Sequence, residues 1–169
     1  MTLRNRVCST AHFAEWMADN EGLPNGEFVA YMAERAQGGI GLVTTGATVT
    51  LPGSGPGYFQ NIDDRFISGY RTLANAVHEH GASLIAQLLH AGDQAPVIGK
   101  IPVARLRLGE YLPVPPVAAG TPPPPIPPPM RDWTHEQLRE ISRSFAEGAR
   151  RAQAGGVDGV ELHAHERYL

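Results

Sequence analysis

The stretch HGASLIAQLLHAG, residues 80–92, decides the fold. Gly81 stands where a helix C-terminal glycine belongs. It closes a helix expected from about Asp64 to His80, on which Phe66, Tyr70, Leu73, Ala74 and Val77 recur at spacings of three and four. The run behind it, SLIAQLLH (83–90), reads as a strand, and its polar residues Gln87 and His90 fall towards its C-terminal end. Helix, glycine and strand, with polar residues closing the strand, form a unit that repeats along the chain.

Upstream, LRNRVCS (3–9) alternates weakly and reads as a first strand. A helix from about Gly26 to Gln37 puts Phe28, Tyr31, Met32 and Ala36 on one face. The run Ile40 to Thr45 is short, β-branched and bounded by glycines, which fits a second strand buried on both faces. Downstream, Thr134 and Gln137 form a capping box. Behind it Leu138, Ile141, Phe145, Ala149 and Ala152 carry a helix to a Gly-Gly stop. VDGVELH (157–163) is the fourth strand. A long irregular stretch, about 91–132, separates the last two units. Its centre, PVPPVAAGTPPPPIPPPM (113–130), cannot supply helix or ladder hydrogen bonds and reads as an extended polyproline-like surface loop.

Strands alternating with helices imply a parallel sheet with right-handed crossovers. No Gly-x-Gly-x-x-Gly follows the first strand, which argues against a dinucleotide-binding open sheet. The polar residues collect where strands end: Thr10 and His12, Thr45 to Thr48, Gln87 and His90, and His163 to Tyr168. A (β/α)8 barrel builds its active site from those ends, so the expected fold is α/β, a partial TIM barrel comprising the first four β/α units. A whole barrel has eight strands and typically ~250 residues.

Composition narrows the function classes. With 169 residues, 42% hydrophobic, the chain can bury the core of one domain, and a formal charge of −3 does not suit a nucleic-acid binder. A single cysteine, Cys8, excludes an internal disulfide framework and a cysteine-rich metal centre, and points to a reducing cytoplasm. No leader-like apolar run opens the sequence, and no stretch approaches the ~18 apolar residues of a membrane span.

Four segments in order, NRVCSTAH, RAQGGIGLVTTGAT, HGASLIAQLLHAG and GVDGVELHAHERYL, resemble the first half of the Old Yellow Enzyme family of flavin-dependent ene-reductases, especially its 2,4-dienoyl-CoA reductase-like branch. The resemblance covers nearly the whole chain apart from the proline-rich loop. It implies residues 1–169 as the N-terminal half of an FMN-binding barrel, with both ends clipped relative to the family. It also implies NAD(P)H as hydride donor and a small activated alkene as substrate.

The family's roles transfer residue by residue. Thr10, Ala11, His12 and Phe13 match the turn that lies along the flavin, largely through backbone groups, and Gly46 matches the small residue beside the ring. Gln87 matches the glutamine whose amide can give and take hydrogen bonds with the pyrimidine edge at once. His90 fits a structural role as well as a cofactor role. His163 and Glu166 match the pair that polarises the substrate's carbonyl oxygen against enolate-like charge. A carboxylate at Glu166 would repel that charge unless protonated or paired, for example with Arg167. Tyr168 matches the proton donor, which protonates the α-carbon while hydride reaches the β-carbon from the opposite face. Two positions depart from the pattern: Arg167 replaces a usual glycine, and Asp93 a common arginine.

Two other readings start from the same residues. His163 and His165 lie two apart on a strand and could share a metal, as on hydrolase barrels, although those barrels place the pair on the first strand. Alternatively the chain is a non-catalytic fragment: four strands leave two open edges and an exposed half-interior, which favour aggregation or a homo-oligomer.

Overall fold

The computed structural model describes residues 1–12, 17–19, 21–52, 59–92 and 133–164. Its elements are β1 (Cys8–Ser9), α1 (Gly26–Gln37), β2 (Leu42–Thr44), β3 (Thr48–Val49), β4 (Phe59–Gln60), α2 (Ile67–His78, entered through a 3-10 turn at Asp64–Phe66), β5 (Ser83–Leu89), α3 (His135–Ala154) and β6 (Gly159–His163). All pairings between these strands are parallel: β1 with β2, β2 and β3 with β5, β3 with β4, and β5 with β6.

The faces of this sheet distinguish a barrel from an open sheet. Val43, Leu84, Ala86 and Leu88 share one core cluster with Phe28, Met32 and Ala36 of α1, Leu73, Ala74 and Val77 of α2, and Ala152 of α3. Successive strand side chains alternate, so Leu42, Thr44, Ile85, Gln87 and Leu89 face the other way. All three helices of the described residues therefore cover one face. A doubly wound sheet carries helices on both faces, whereas a barrel keeps them outside. The fold is a partial (β/α)8 barrel, as expected, and its free face is the barrel interior.

Two strand expectations need correction. The first strand is Cys8–Ser9 alone, because residues before it are drawn beneath the sheet. Arg4 donates to the carbonyls of Ala36 (2.6 Å), Ile40 (2.8 Å) and His80 (2.7 Å), and Asn5 Nδ2 donates to that of Gly39 (2.8 Å). The second expected strand, Ile40 to Thr45, is shortened to β2, and the chain rejoins the sheet beyond it as β3. Thr44 pairs with Ile85 and Thr48 with Leu88, so four steps on one strand oppose three on the other. That extra residue is a β-bulge around Thr45–Ala47. Short β4, which had no period to announce it, adds to β3.

The helices follow their sequence signals. Thr134 Oγ1 accepts from Gln137 N (3.2 Å) while Gln137 Oε1 accepts from Thr134 N (2.9 Å), the capping box the sequence implied. Gly81 takes φ +70°, which a side chain would resist, and ends α2. Asp64 anchors α3 by accepting from Arg151 Nε at 2.9 Å and from Arg150, and those two guanidiniums hold its carboxyl below the usual range. Asp158, at the head of β6, accepts from Leu84 N and His78 Nε2, both at 2.8 Å.

Arg4 spans the C-terminal ends of both α1 and α2, where orphan carbonyls attract a cation. Replacing it with alanine is expected to lower unfolding stability by about 1–2 kcal/mol, since charge-assisted bonds are partly discounted by solvent. Urea denaturation of wild type and Arg4→Ala measures the difference.

Candidate flavin site

Strand register puts Gln87 and His163, two of the expected residues, on the free face. Gln87 pairs across β5 and β6 with Glu161, and Leu89 with His163. Paired residues point to the same side, so Gln87, Glu161 and His163 share the interior with Thr44 and Ile85. Gln87 is buried and donates through Nε2 to Glu161 Oε1 at 2.5 Å. His163 is half-buried at the C-terminal end of β6.

The bulge supports Gln87 from the opposite side. With β2 interrupted, the backbone N–H of Gln87 donates to the Thr45 hydroxyl at 3.2 Å, while Thr45 N donates to Ile85 O at 2.9 Å. Thr45 thus replaces the ladder carbonyl that the bulge moves away. Sequence reasoning placed Thr45 at a strand end without giving it this task.

Gly46 sits at the crest of the bulge against the turn after β1. A Cβ there would lie 2.6 Å from His12 O and 3.4 Å from Met17 Sδ. Only a residue without a side chain allows the two turns to meet. His12 contributes backbone here and sends its ring elsewhere. Its Nδ1 lies 3.3 Å from the Thr10 carbonyl, and the Tyr31 hydroxyl reaches Nε2. A carbonyl only accepts, so Nδ1 carries the proton and Nε2 accepts from Tyr31. Arg35 stacks over the Tyr31 ring, 3.1 Å from its centroid, and donates to Tyr31 O at 2.9 Å. The imidazole is committed to α1.

His90 closes β5 with contacts inside the protein. It is buried, accepts from Gly92 N through Nδ1 at 3.1 Å, and meets the Trp133 ring edge-on at 5.8 Å between centroids. Burial lowers its pKa below the ordinary imidazole value. Phe13, Asp93, His165, Glu166, Arg167 and Tyr168 lie outside the described residues, as does nearly all of the proline-rich loop. Among the described residues no three His, Cys, Asp or Glu side chains gather as a metal site, and no helix is long and apolar enough to cross a membrane.

A model of the NADH:flavin oxidoreductase / NADH oxidase family matches residues 1–169. The chain belongs to that family. It is 34% identical over 98% of its length to a probable N-methylproline demethylase of Rhizobium meliloti, and 28% identical over 97% to a multifunctional alkene reductase/demethylase of Caballeronia cordobensis. It covers 23% of each of those proteins. The solved Old Yellow Enzyme homologue from Zymomonas mobilis superposes with a TM-score of 0.72 at 22% identity, over 100% of this chain and 47% of that one. At that identity the likeness concerns the fold. The chain therefore spans about a quarter to a half of the length of the proteins it matches.

Members of the family use FMN with NAD(P)H as hydride donor. The donor set on this rim fits such a group. The Gln87 amide presents its carbonyl oxygen away from a carboxylate, and an amide complements the alternating donor and acceptors of an isoalloxazine's pyrimidine edge. The close approach of Gly46 to His12 O brings two backbone turns together beside it.

Proposed function

We propose that these residues form the flavin-facing half of an FMN-dependent oxidoreductase that reduces activated C=C bonds with NAD(P)H, within the 2,4-dienoyl-CoA reductase-like branch. One observation carries this reading: Gln87, the Gly46 bulge and the Thr10–His12 turn, far apart in sequence, meet at one rim of the barrel interior, with His163 on the adjoining strand end.

FMN, when bound, supplies the hydride. The chain's own residues hold and complete the reaction. Gln87 would hold the pyrimidine edge, the backbone of Thr10, Ala11, His12 and Phe13 would supply further contacts to the ring, and Gly46 would leave room for it. His163, with Glu166, binds the substrate's carbonyl oxygen and stabilises the negative charge that develops there. Tyr168 donates its hydroxyl proton to the α-carbon. The substrate is a small activated alkene in the cytoplasm, and self-association of the protein accompanies this reading.

A protein carrying these residues and extended to the length of the relatives, produced with ample riboflavin, is expected to purify yellow and to retain its flavin absorption through desalting. A folded but colourless product overturns the reading.

A second reading has specific support in the N-methylproline demethylase similarity. Glu166 would attract a cationic amine as readily as it would repel an oxyanion. In that reaction an N-methyl group loses two electrons and a proton to an iminium, which water splits into the demethylated amine and formaldehyde. Anaerobic bleaching of the flavin by an N-methyl amino acid, with formaldehyde release and no enone reduction, would favour it.

A further inference from the structure

Glu161 carries an inference that rests on the FMN reading and deepens it. A glutamine amide has two orientations of similar shape that exchange oxygen for NH2, and only one presents a given hydrogen-bond pattern to a ligand. Gln87 has a neighbour that removes the ambiguity. Residues 87 and 161 are direct partners in the β5–β6 register, and Gln87 Nε2 lies 2.5 Å from Glu161 Oε1. An ionised carboxylate has acceptors only, so the opposite orientation would set the amide oxygen against negative charge. On the other flank the Gln87 backbone is pinned by Thr45 at 3.2 Å.

We infer that Glu161 is a positioning residue: it fixes the Gln87 amide so that Oε1 meets the imide N–H of the flavin and the second Nε2 hydrogen meets the neighbouring ring carbonyl. Glu161 is itself exposed on the free face, so this pair contributes little to folding. Its consequence lies in pre-organisation. A ligand that must first select one of two amide orientations binds more weakly than one that finds the orientation set.

A double-mutant cycle on a protein carrying these residues and extended to the length of the relatives tests this. Apoprotein of wild type, Glu161→Leu, Gln87→Ala and the double variant is titrated with FMN, following the loss of flavin fluorescence, and the midpoint potential of each holoprotein is recorded. Glu161→Leu is expected to weaken FMN binding about twofold, the cost of leaving the two amide orientations equally populated, and to shift the potential in the same direction as Gln87→Ala, by a smaller amount. The double variant is expected to bind no worse than Gln87→Ala alone, because Glu161 acts through that side chain. Glu161→Gln, which keeps size and one acceptor oxygen, is expected to recover part of the affinity. Losses that multiply in the double variant, or a Glu161→Leu protein identical to wild type in affinity and potential, overturn the assignment. Wild-type protein that folds yet binds no FMN overturns the flavin reading itself, a separate and recognisable outcome.

Discussion

Phenylalanine in place of Tyr168 is expected to slow alkene reduction by about 10²–10⁴, the usual contribution of a positioned general acid. The reasoning is local. The substitution removes one hydroxyl and keeps the aromatic ring, so folding and FMN content should be unchanged. Reduction of the bound flavin by NAD(P)H involves no proton from this phenol and should keep its rate. The loss is expected in the second half-reaction alone, where the α-carbon must be protonated as the β-carbon receives hydride. Rapid mixing of the reduced enzyme with an enone isolates that step. A rate within threefold of wild type would remove Tyr168 from the role. The same variant separates the two functional readings, because oxidation of an N-methyl amine needs no proton delivered to a carbon. If demethylation proceeds undiminished in Tyr168→Phe while no alkene is reduced by wild type, the amine reading stands. His163 gives the complementary expectation: in the proposed role of binding the substrate's oxygen, its loss should affect substrate affinity as well as rate.

Much of the fold was legible because its signals are periodic. The spacing of Phe28, Tyr31, Met32 and Ala36 marked α1, that of Phe66, Tyr70, Leu73, Ala74 and Val77 marked α2, and all of them are buried except the half-buried Tyr31. The capping box at Thr134 and the glycine at Gly81 are chemical signatures tied to particular backbone geometries, and both lie where expected. The bulge between β2 and β3 was not legible. Thr44, Thr45, Thr48 and Val49 have the composition of one continuous strand, and nothing local says that the ladder slips by a residue; only the register against β5 reveals it. The N-terminal residues misled for a related reason. Arg4 and Asn5 alternate with apolar neighbours as a strand would, yet their side chains satisfy carbonyls at the ends of α1 and of the loops leading to β2 and β5. The candidate site divides in the same way. Gln87 stands out as an amide in an apolar run, whereas Glu161 looks like an ordinary polar residue of an alternating strand. Its importance depends on a neighbour 74 positions away, a pairing that one sequence does not display.

Two glycine substitutions of similar steric cost should have different functional consequences, and their contrast tests whether the bulge belongs to the site. Gly155 ends α3 with φ −82°, a conformation open to any residue, so its requirement is space alone. A Cβ there would lie 2.3 Å from Cβ of the fully buried Tyr70 and 3.1 Å from Ile67 O. Neither neighbour is the movable end of a side chain, so α3 must lift from α2. Gly155→Ala is expected to lower unfolding stability by roughly 3 kcal/mol, at the upper end of overpacking costs. Gly46→Ala meets the His12 carbonyl at 2.6 Å, again a backbone atom, and is expected to lower stability by about 1–3 kcal/mol. The lifted helix in Gly155→Ala lies outside the barrel, and the protein that remains folded should bind FMN as wild type does. In Gly46→Ala the displaced turn is Thr10–His12 itself, so FMN affinity should fall at least tenfold even under conditions where the protein is fully folded. Chemical denaturation gives the first quantity for each variant, and flavin titration below the unfolding transition gives the second. Equal FMN affinity in the two variants would make Gly46 a packing residue and detach the bulge from the flavin.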